Sequence, residues 1–372
     1  MKNNVLIFCI SLQRGGAERI ISLLLKEFAE DENFSIHLVM MEGRIEYPIP
    51  SSVKITILSK SKKSAIRKLL ELPFVSWQLK NYIKENSIDT VMSFLYRPNY
   101  INILSKIFTS KHKSIINVRS TTSRYLKEGL LGKINLFLIK TLFNRADMIV
   151  SNSNGVDEDL KALMQITTDT KVIYNPVDIQ FIDSKKGVCE DIEFDFKEDK
   201  KYIISVGRLI PLKRNSDLLE AFYELQKDDD SLELIFLGEG ILKADLIKKC
   251  ENIGIENRVH FLGNVKNPFY YLNKSDLFVM NSQTEGFPNT LVEAMACGLL
   301  VISSDCKSGP REILLDEKYG LLYQVGNIKE LIQKMRYYLY EDINRKKIKL
   351  NTRKRVEYFK INKIIEEYKE IV

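Results

Sequence analysis

Residues 277–298 read LFVMNSQTEGFPNTLVEAMACG. The first four are apolar and make a short buried strand. Pro288 and Asn289 mark a helix start, and Gly298 ends that helix. The loop between carries Glu285, then Gly286 and Phe287, and Glu293 follows inside the helix. An apolar run too short to alternate, feeding straight into a helix, is one βα unit of a parallel sheet whose strands are covered on both faces.

The same unit recurs in both directions from this stretch. Before it, apolar runs at 5–10, 36–41, 55–58, 90–94, 114–118, 148–151 and 172–174 alternate with helical patterns such as 18–28 and 65–83. A second series runs through 202–206, 232–237, 259–262, 277–280 and 301–303, and the chain turns helical after Asn327. The fold class is therefore α/β, with two doubly wound, Rossmann-like domains in tandem facing a cleft. The length of 372 residues agrees, because one core rarely serves more than about 300. The boundary is expected in the charged segment 181–200, which follows the turn Asn175-Pro176-Val177-Asp178. This gives domains at 1–182 and 183–355, with a terminal helix at 356–372 packing back on the first. The cleft between them is the expected binding site.

Charge is unevenly distributed. Residues 51–150 hold 18 basic and 5 acidic side chains, a net charge of +13, whereas residues 181–372 hold 31 and 32. The first lobe thus suits an anionic partner: nucleic acid, membrane or acidic substrate. Five scattered cysteines read as reduced thiols, and three isolated histidines give no metal-ligand spacing. The apolar start at residues 5–10 reads as a first strand, because Gln13-Arg14-Gly15-Gly16 stands where a signal peptide would have its cleavage site. No run is long and apolar enough to span a bilayer. The expected location is cytoplasmic.

Three places could carry chemistry. Gly15 and Gly16 form a strand-to-helix turn that suits either a phosphate on the helix N-terminus or a plain tight turn. The strand at 202–206 runs into Gly207 and then presents Arg208, Lys213 and Arg214 where open α/β sheets bind ligands, a set suited to a diphosphate. In the opening stretch, Glu285 and Glu293 could reach two ends of one ligand, with a phosphate on the amides of Asn289, Thr290 and Leu291. Compensation of the helix dipole would account for Glu293 equally well. The acidic strings Asp157-Glu158-Asp159 and Asp228-Asp229-Asp230 read as surface or capping acids.

With these residues quoted, the chain resembles the GT-B glycosyltransferases of family 4. The resemblance rests on GGAER (15–19), SNSNGVDEDL (151–160), VIYNPVD (172–178), VGRLIPLK (206–213), LGEG (237–240), FLGNV (261–265), EGFPNTLVEAMACG (285–298) and SSDCKSGPREIL (303–314). It implies a retaining hexosyl- or N-acetylhexosaminyltransferase that uses a nucleotide-sugar, with UDP as the base-rate choice. It also implies that Glu285 binds donor-sugar hydroxyls, Glu293 binds the ribose hydroxyls, and Arg208 and Lys213 hold the diphosphate. The backbone of Gly286, Phe287, Asn289 and Thr290 would approach the donor, Asn264 and Val265 would border the base, and Gly15 and Gly16 would face the donor across the cleft. No metal and no other cofactor is expected, since Arg208 and Lys213 supply the positive charge. One departure stands out: relatives often carry a histidine where this chain reads Ile115 to Thr121, and Arg119 is the nearest substitute.

The cationic lobe is assigned to the acceptor side. The basic run at 60–68 precedes Leu72, Phe74, Val75 and Trp77, a mixture that suits either an interfacial helix on an anionic membrane or a solvated helix with an apolar inner face. A lipid-diphosphate-linked glycan in capsule, O-antigen or related assembly would answer the charge, with the protein peripheral at the inner face of the membrane. Two alternatives are a nucleotide-sugar epimerase of the same fold and a nucleic-acid-binding protein, the latter lacking any helix-turn-helix, zinc-finger or aromatic RNA-binding signature.

Overall fold

The computed structural model describes residues 2–13, 15–58, 69–107, 111–191, 194–341 and 344–372. The basic run at 60–68 lies outside the described residues. The chain divides into two compact units, Met1–Pro176 with Asn362–Val372, and Val177–Ile361.

The first unit is built on a seven-stranded sheet with order β3-β2-β1-β4-β5-β6-β7. Its strands are β1 Asn3–Cys9, β2 Phe34–Met40, β3 Lys54–Ile57, β4 Thr90–Phe94, β5 Lys113–Val118, β6 Met148–Ser151 and β7 Thr170–Val172. All its pairings are parallel. Central strands such as β4 are buried throughout, which is why their sequence is mostly apolar and shows no alternation. The second unit carries six strands in the order β10-β9-β8-β11-β12-β13: β8 Lys201–Val206, β9 Leu232–Leu237, β10 Val259–Gly263, β11 Leu277–Met280, β12 Leu300–Ser304 and β13 Leu321–Tyr323. In each sheet the order reverses beside the first strand of the unit, the topological switch point of doubly wound folds.

Several elements differ from the sequence reading. β13 has three residues, too few to show a period. The described helix expected over 65–83 is Leu72–Glu85, with Pro73 in its first turn, where a proline costs no hydrogen bond. The units divide at Pro176, before the expected position 182, because the helix Ile179–Lys185 packs into the second unit. Phe181 meets Phe269 edge to face, and Asn267 donates to the carbonyls of Lys185 and Val188. The charged segment that follows is no bare linker. Phe194 and Phe196 form an aromatic cluster with Tyr202, His260 and Tyr270.

At the other crossing, Val177 donates to the Phe359 carbonyl and accepts from the Ile361 amide, bracketing Lys360, and the helix Ile361–Lys369 then joins the first unit. There Lys369 pairs with Asp31 at 2.7 Å, and the fully buried Tyr368 donates to Asn117 Oδ1 at 3.2 Å.

Candidate active site

In the second unit the carboxyl ends of β8, β9 and β10 close on glycines. Gly207 donates to the Leu237 carbonyl at 2.9 Å and Gly238 to the Gly263 carbonyl at 2.7 Å. A Cβ on Gly238 would stand 2.1 Å from the Gly207 oxygen, and its φ of +137° is one that side-chain-bearing residues rarely adopt.

Beyond Gly207 the chain exposes Arg208 and enters the single 3-10 turn Pro211–Lys213. Lys213 Nζ lies 2.5 Å from Glu285 Oε1, with side chains 24% and 14% exposed. This pair joins the loop after β8 to the loop after β11. The backbone joins them too, since Gln283 donates to the Leu212 carbonyl at 2.8 Å. From the other side Ser304 Oγ donates to the Ser282 carbonyl at 2.6 Å and Ser308 Oγ to the Glu285 carbonyl at 2.5 Å. Gly309, at φ +90°, lies under Pro288 and Gly286, where a Cβ would meet Pro288 Cδ at 2.6 Å. Glu285 is thereby held at a fixed point with one carboxylate oxygen on a lysine.

Arg214 belongs elsewhere. It adopts left-handed torsions, its Nε donates to Asp217 at 2.7 Å, and its guanidinium fills the space that a Cβ on Gly326 would need.

The helix Asn289–Ala296 begins at Pro288 with no side-chain cap. Leu291 and Val292 direct their amides to the Pro288 carbonyl at 3.2 and 3.5 Å, so the Leu291 amide is already paired, contrary to its expected use for a phosphate. Asn289 and Thr290 are half-buried at the helix start. The Phe287 ring packs edge to face on Phe359, which anchors the loop from behind. Glu293 is buried on the second turn of the helix. Asn264, exposed, and Val265, half-buried, follow β10 at the same carboxyl edge, two strands from β8. Cys306 lies beside Glu285, and burial, reinforced by the Glu285 charge, pushes its thiol up to about 12, so it is no nucleophile near neutral pH.

In the first unit Gly15 precedes the helix Gly16–Ala29 in an extended conformation. The Glu18 carboxylate folds over it, 2.2 Å from where a Cβ would stand, so a side chain here would displace the end of that carboxylate. The helix start expected to face a phosphate carries the chain's own carboxylate.

Arg119 is committed to the structure. It donates to Tyr368 Oη at 3.2 Å and to Asn175 Oδ1, and lies over the Phe94 ring. It fastens the terminal helix to the end of β5.

The acidic strings also have occupations. Asp157 and Asp159 are buried, not surface, residues. Asp157 pairs with Lys161, and Asp159 accepts the Ser123 amide at the 3-10 turn Thr122–Lys127. Asp228 and Asp230 pair with Arg336 and Arg258. Each histidine has a structural partner: Tyr82 for His37, Asn102 for His112 and Glu233 for His260.

Two family profiles cover nearly the whole chain, Glycosyltransferase Family 4 over residues 14–181 and Glycosyl transferases group 1 over residues 190–355. The N-acetylgalactosamine-N,N'-diacetylbacillosaminyl-diphospho-undecaprenol 4-alpha-N-acetylgalactosaminyltransferase of Campylobacter jejuni is 36% identical over 356 residues, 95% of this chain and 94% of that protein. The chain belongs to the family 4 glycosyltransferases.

Solved structures agree in architecture. HepE of Anabaena, in complex with UDP, has a TM-score of 0.78 at 19% identity, covering 100% of this chain and 99% of that one. Sucrose-phosphate synthase of Thermosynechococcus elongatus has a TM-score of 0.83 at 15% identity, covering 100% and 98%. This glycosyltransferase is thus a hexosyltransferase of GT-B fold, as its sequence implied. Sequence reasoning missed the supports of the Glu285 loop: Ser304, Ser308 and Gly309. The signal for the last two was present, a Ser-Gly-Pro triplet three residues beyond a mostly apolar strand.

Proposed function

We propose that this glycosyltransferase moves a hexose or N-acetylhexosamine from a UDP-sugar, with retention of anomeric configuration, to a glycan carried on a lipid diphosphate in the assembly of a bacterial surface polysaccharide. The Lys213–Glu285 pair carries the reading. A cation and a carboxylate fixed together at the carboxyl end of a strand suit a ligand in which a diphosphate adjoins sugar hydroxyls.

In this reading the diphosphate takes Lys213 from Glu285, and Lys213 with Arg208 neutralises the charge that grows on the departing UDP. Glu285, released, accepts hydroxyl protons of the donor sugar. Glu293 takes the ribose hydroxyls, the backbone of Gly286, Phe287, Asn289 and Thr290 lines the sugar and phosphates, and Asn264 and Val265 border the base. The two cations do the work a metal ion would otherwise do, so the reaction is assigned no metal.

Support for UDP comes from the HepE complex, and support for a lipid-linked acceptor from the Campylobacter relative, whose name specifies a diphospho-undecaprenol glycan. An acceptor of that kind is embedded in a bilayer, and in this reading the protein meets it as a peripheral partner at the cytoplasmic face.

The test is a thermal-shift panel of UDP-, GDP- and ADP-sugars, followed by incubation of the stabilising donor with a prenyl-diphosphate-linked saccharide. The expected result is a UDP-sugar shift and an elongated glycan whose new linkage keeps the donor's anomeric configuration. An isomerised sugar nucleotide formed without acceptor would make the protein an epimerase instead.

A further inference from the structure

The helix Gly129–Leu142 is apolar on two sides, and the described chain covers one. Its inner side, Gly132, Ile139 and Leu142, is buried against the first unit's core. Gly132 permits the approach, since a Cβ there would lie 2.0 Å from the Tyr125 carbonyl oxygen. On the outer side Leu130 is 75% exposed and Phe137 65% exposed, with Leu126 just before the helix at 62%. Leu130, Ile134 and Phe137 follow one another at the spacing that puts residues on one helix face.

A helix whose outer face meets water carries polar side chains there. Here the charged residues from 129 to 145 are Lys133, Lys140 and Arg145, all exposed, with no aspartate or glutamate among them.

A second patch of the same kind lies nearby. The helix Leu72–Glu85 packs against the helix Tyr96–Ile107, which also packs against Gly129–Leu142. Its Leu72 and Val75 belong to the core, whereas Phe74 and Trp77 are 59% and 53% exposed with their rings stacked. Return helices of a parallel sheet start at the carboxyl edge of the strands. Phe74 and Leu130, in the first turns of their helices, therefore lie toward the edge at which such sheets take their ligands.

We propose that this face docks on an anionic phospholipid bilayer, with Leu130, Phe137, Phe74 and Trp77 at the boundary of headgroups and acyl chains and Lys133 and Lys140 on the headgroups. The proposal rests on the lipid-linked acceptor reading and names the surface that reading needs. Charge selects a bilayer over a second copy of the chain. Self-association would bring the same lysines together, whereas anionic headgroups neutralise them. A bilayer held there would bring a membrane-embedded diphosphate to the carboxyl edge of the first sheet.

The test is flotation of the full-length protein with vesicles of phosphatidylethanolamine and phosphatidylglycerol, against phosphatidylcholine alone. Wild type is expected to float with the anionic vesicles and to be released by salt. A Leu130→Ser/Phe137→Ser variant should bind at least tenfold more weakly. A Lys133→Gln/Lys140→Gln variant, whose changes are on exposed side chains, should lose about fivefold per lysine. Ile241→Ser, an equally exposed apolar site in the second unit, should bind as wild type does. All variants should retain the wild-type transfer rate on a short-chain, water-soluble acceptor.

If wild type transfers to a lipid-diphosphate acceptor in detergent yet does not float, or if both double variants float as wild type does, the docking face is overturned and the acceptor reading stands. If wild type floats through this face but no lipid-diphosphate acceptor is elongated, the acceptor reading fails and the face stands. A dimer in sedimentation that Leu130→Ser/Phe137→Ser dissolves would also overturn the proposal.

Discussion

Lys213 and Glu285 touch across two loops that leave neighbouring strands, at a distance of 2.5 Å. On the proposed reading a diphosphate takes Lys213 from this carboxylate, so Glu285 competes with the nucleotide for the cation while serving the reaction.

Glu285→Gln is therefore expected to separate the two. Transfer should fall by about 10²- to 10³-fold, the usual loss when a preorganised polar contact to the transition state is removed. UDP affinity should stay level or rise, because Lys213 is no longer neutralised. Steady-state rates and calorimetric Kd values measured on one preparation decide it; a parallel loss of UDP binding would contradict the role given to Lys213.

Glycine matters more at the strand end Gly238 than at Gly254, which ends the helix Lys243–Ile253. Gly238→Ala should destabilise the protein by roughly 1–3 kcal/mol or more, since it meets both an unfavourable φ and the Gly207 carbonyl at 2.1 Å. Gly254→Ala, at φ +70° with nothing within 4 Å, should cost only about 1 kcal/mol. Denaturant midpoints of the two variants should fall in that order.

Arg119 and Tyr368 supply a control on the site assignment. Tyr368→Phe removes one buried hydrogen-bonding hydroxyl and should cost about 1 kcal/mol, and Arg119→Ala, which removes one donor from each of Asn175 and Tyr368, about 1–3 kcal/mol. Neither should change the thermal shift produced by UDP, because all three residues belong to the first unit. A loss of donor binding on Arg119→Ala would restore the ligand role that its contacts argue against.

Asp229 makes the second unit sensitive to acid. Burial works against its charge, but the Ser231 hydroxyl and amide, Lys201 and Tyr340 all donate to it and hold its carboxyl down at about 2. The folded value lies below the roughly 3.9 of an unfolded aspartate. Its contribution is thus complete above about pH 4 and is lost as pH falls toward 2. Asp229→Asn should lower stability by on the order of 1 kcal/mol at pH 7 and flatten the decline between pH 4 and pH 2, as followed by urea melts across that range.

Most of the strand pattern was legible in the sequence because a strand covered on both faces is mostly apolar with no alternation, as in 277–280 and 90–94. The glycine-ended loops and the Glu285 to Glu293 spacing were legible for a similar reason: close backbone approach and ligand contact restrict residue type locally. The outcome of competition between distant partners was not legible. Arg208, Lys213 and Arg214 look alike in sequence, yet only the folded chain gives Lys213 to Glu285 and Arg214 to Asp217 and leaves Arg208 exposed. Arg119 gives no sign in sequence of its partner Tyr368, 249 residues away. Phe74 and Val75 are neighbours in one apolar run, and one is exposed while the other is in the core. Local chemistry fixed the class of fold and the kind of site. Long-range packing decided which of several equivalent side chains faces a ligand, because a side chain's partners are set by the three-dimensional neighbourhood that the whole chain builds.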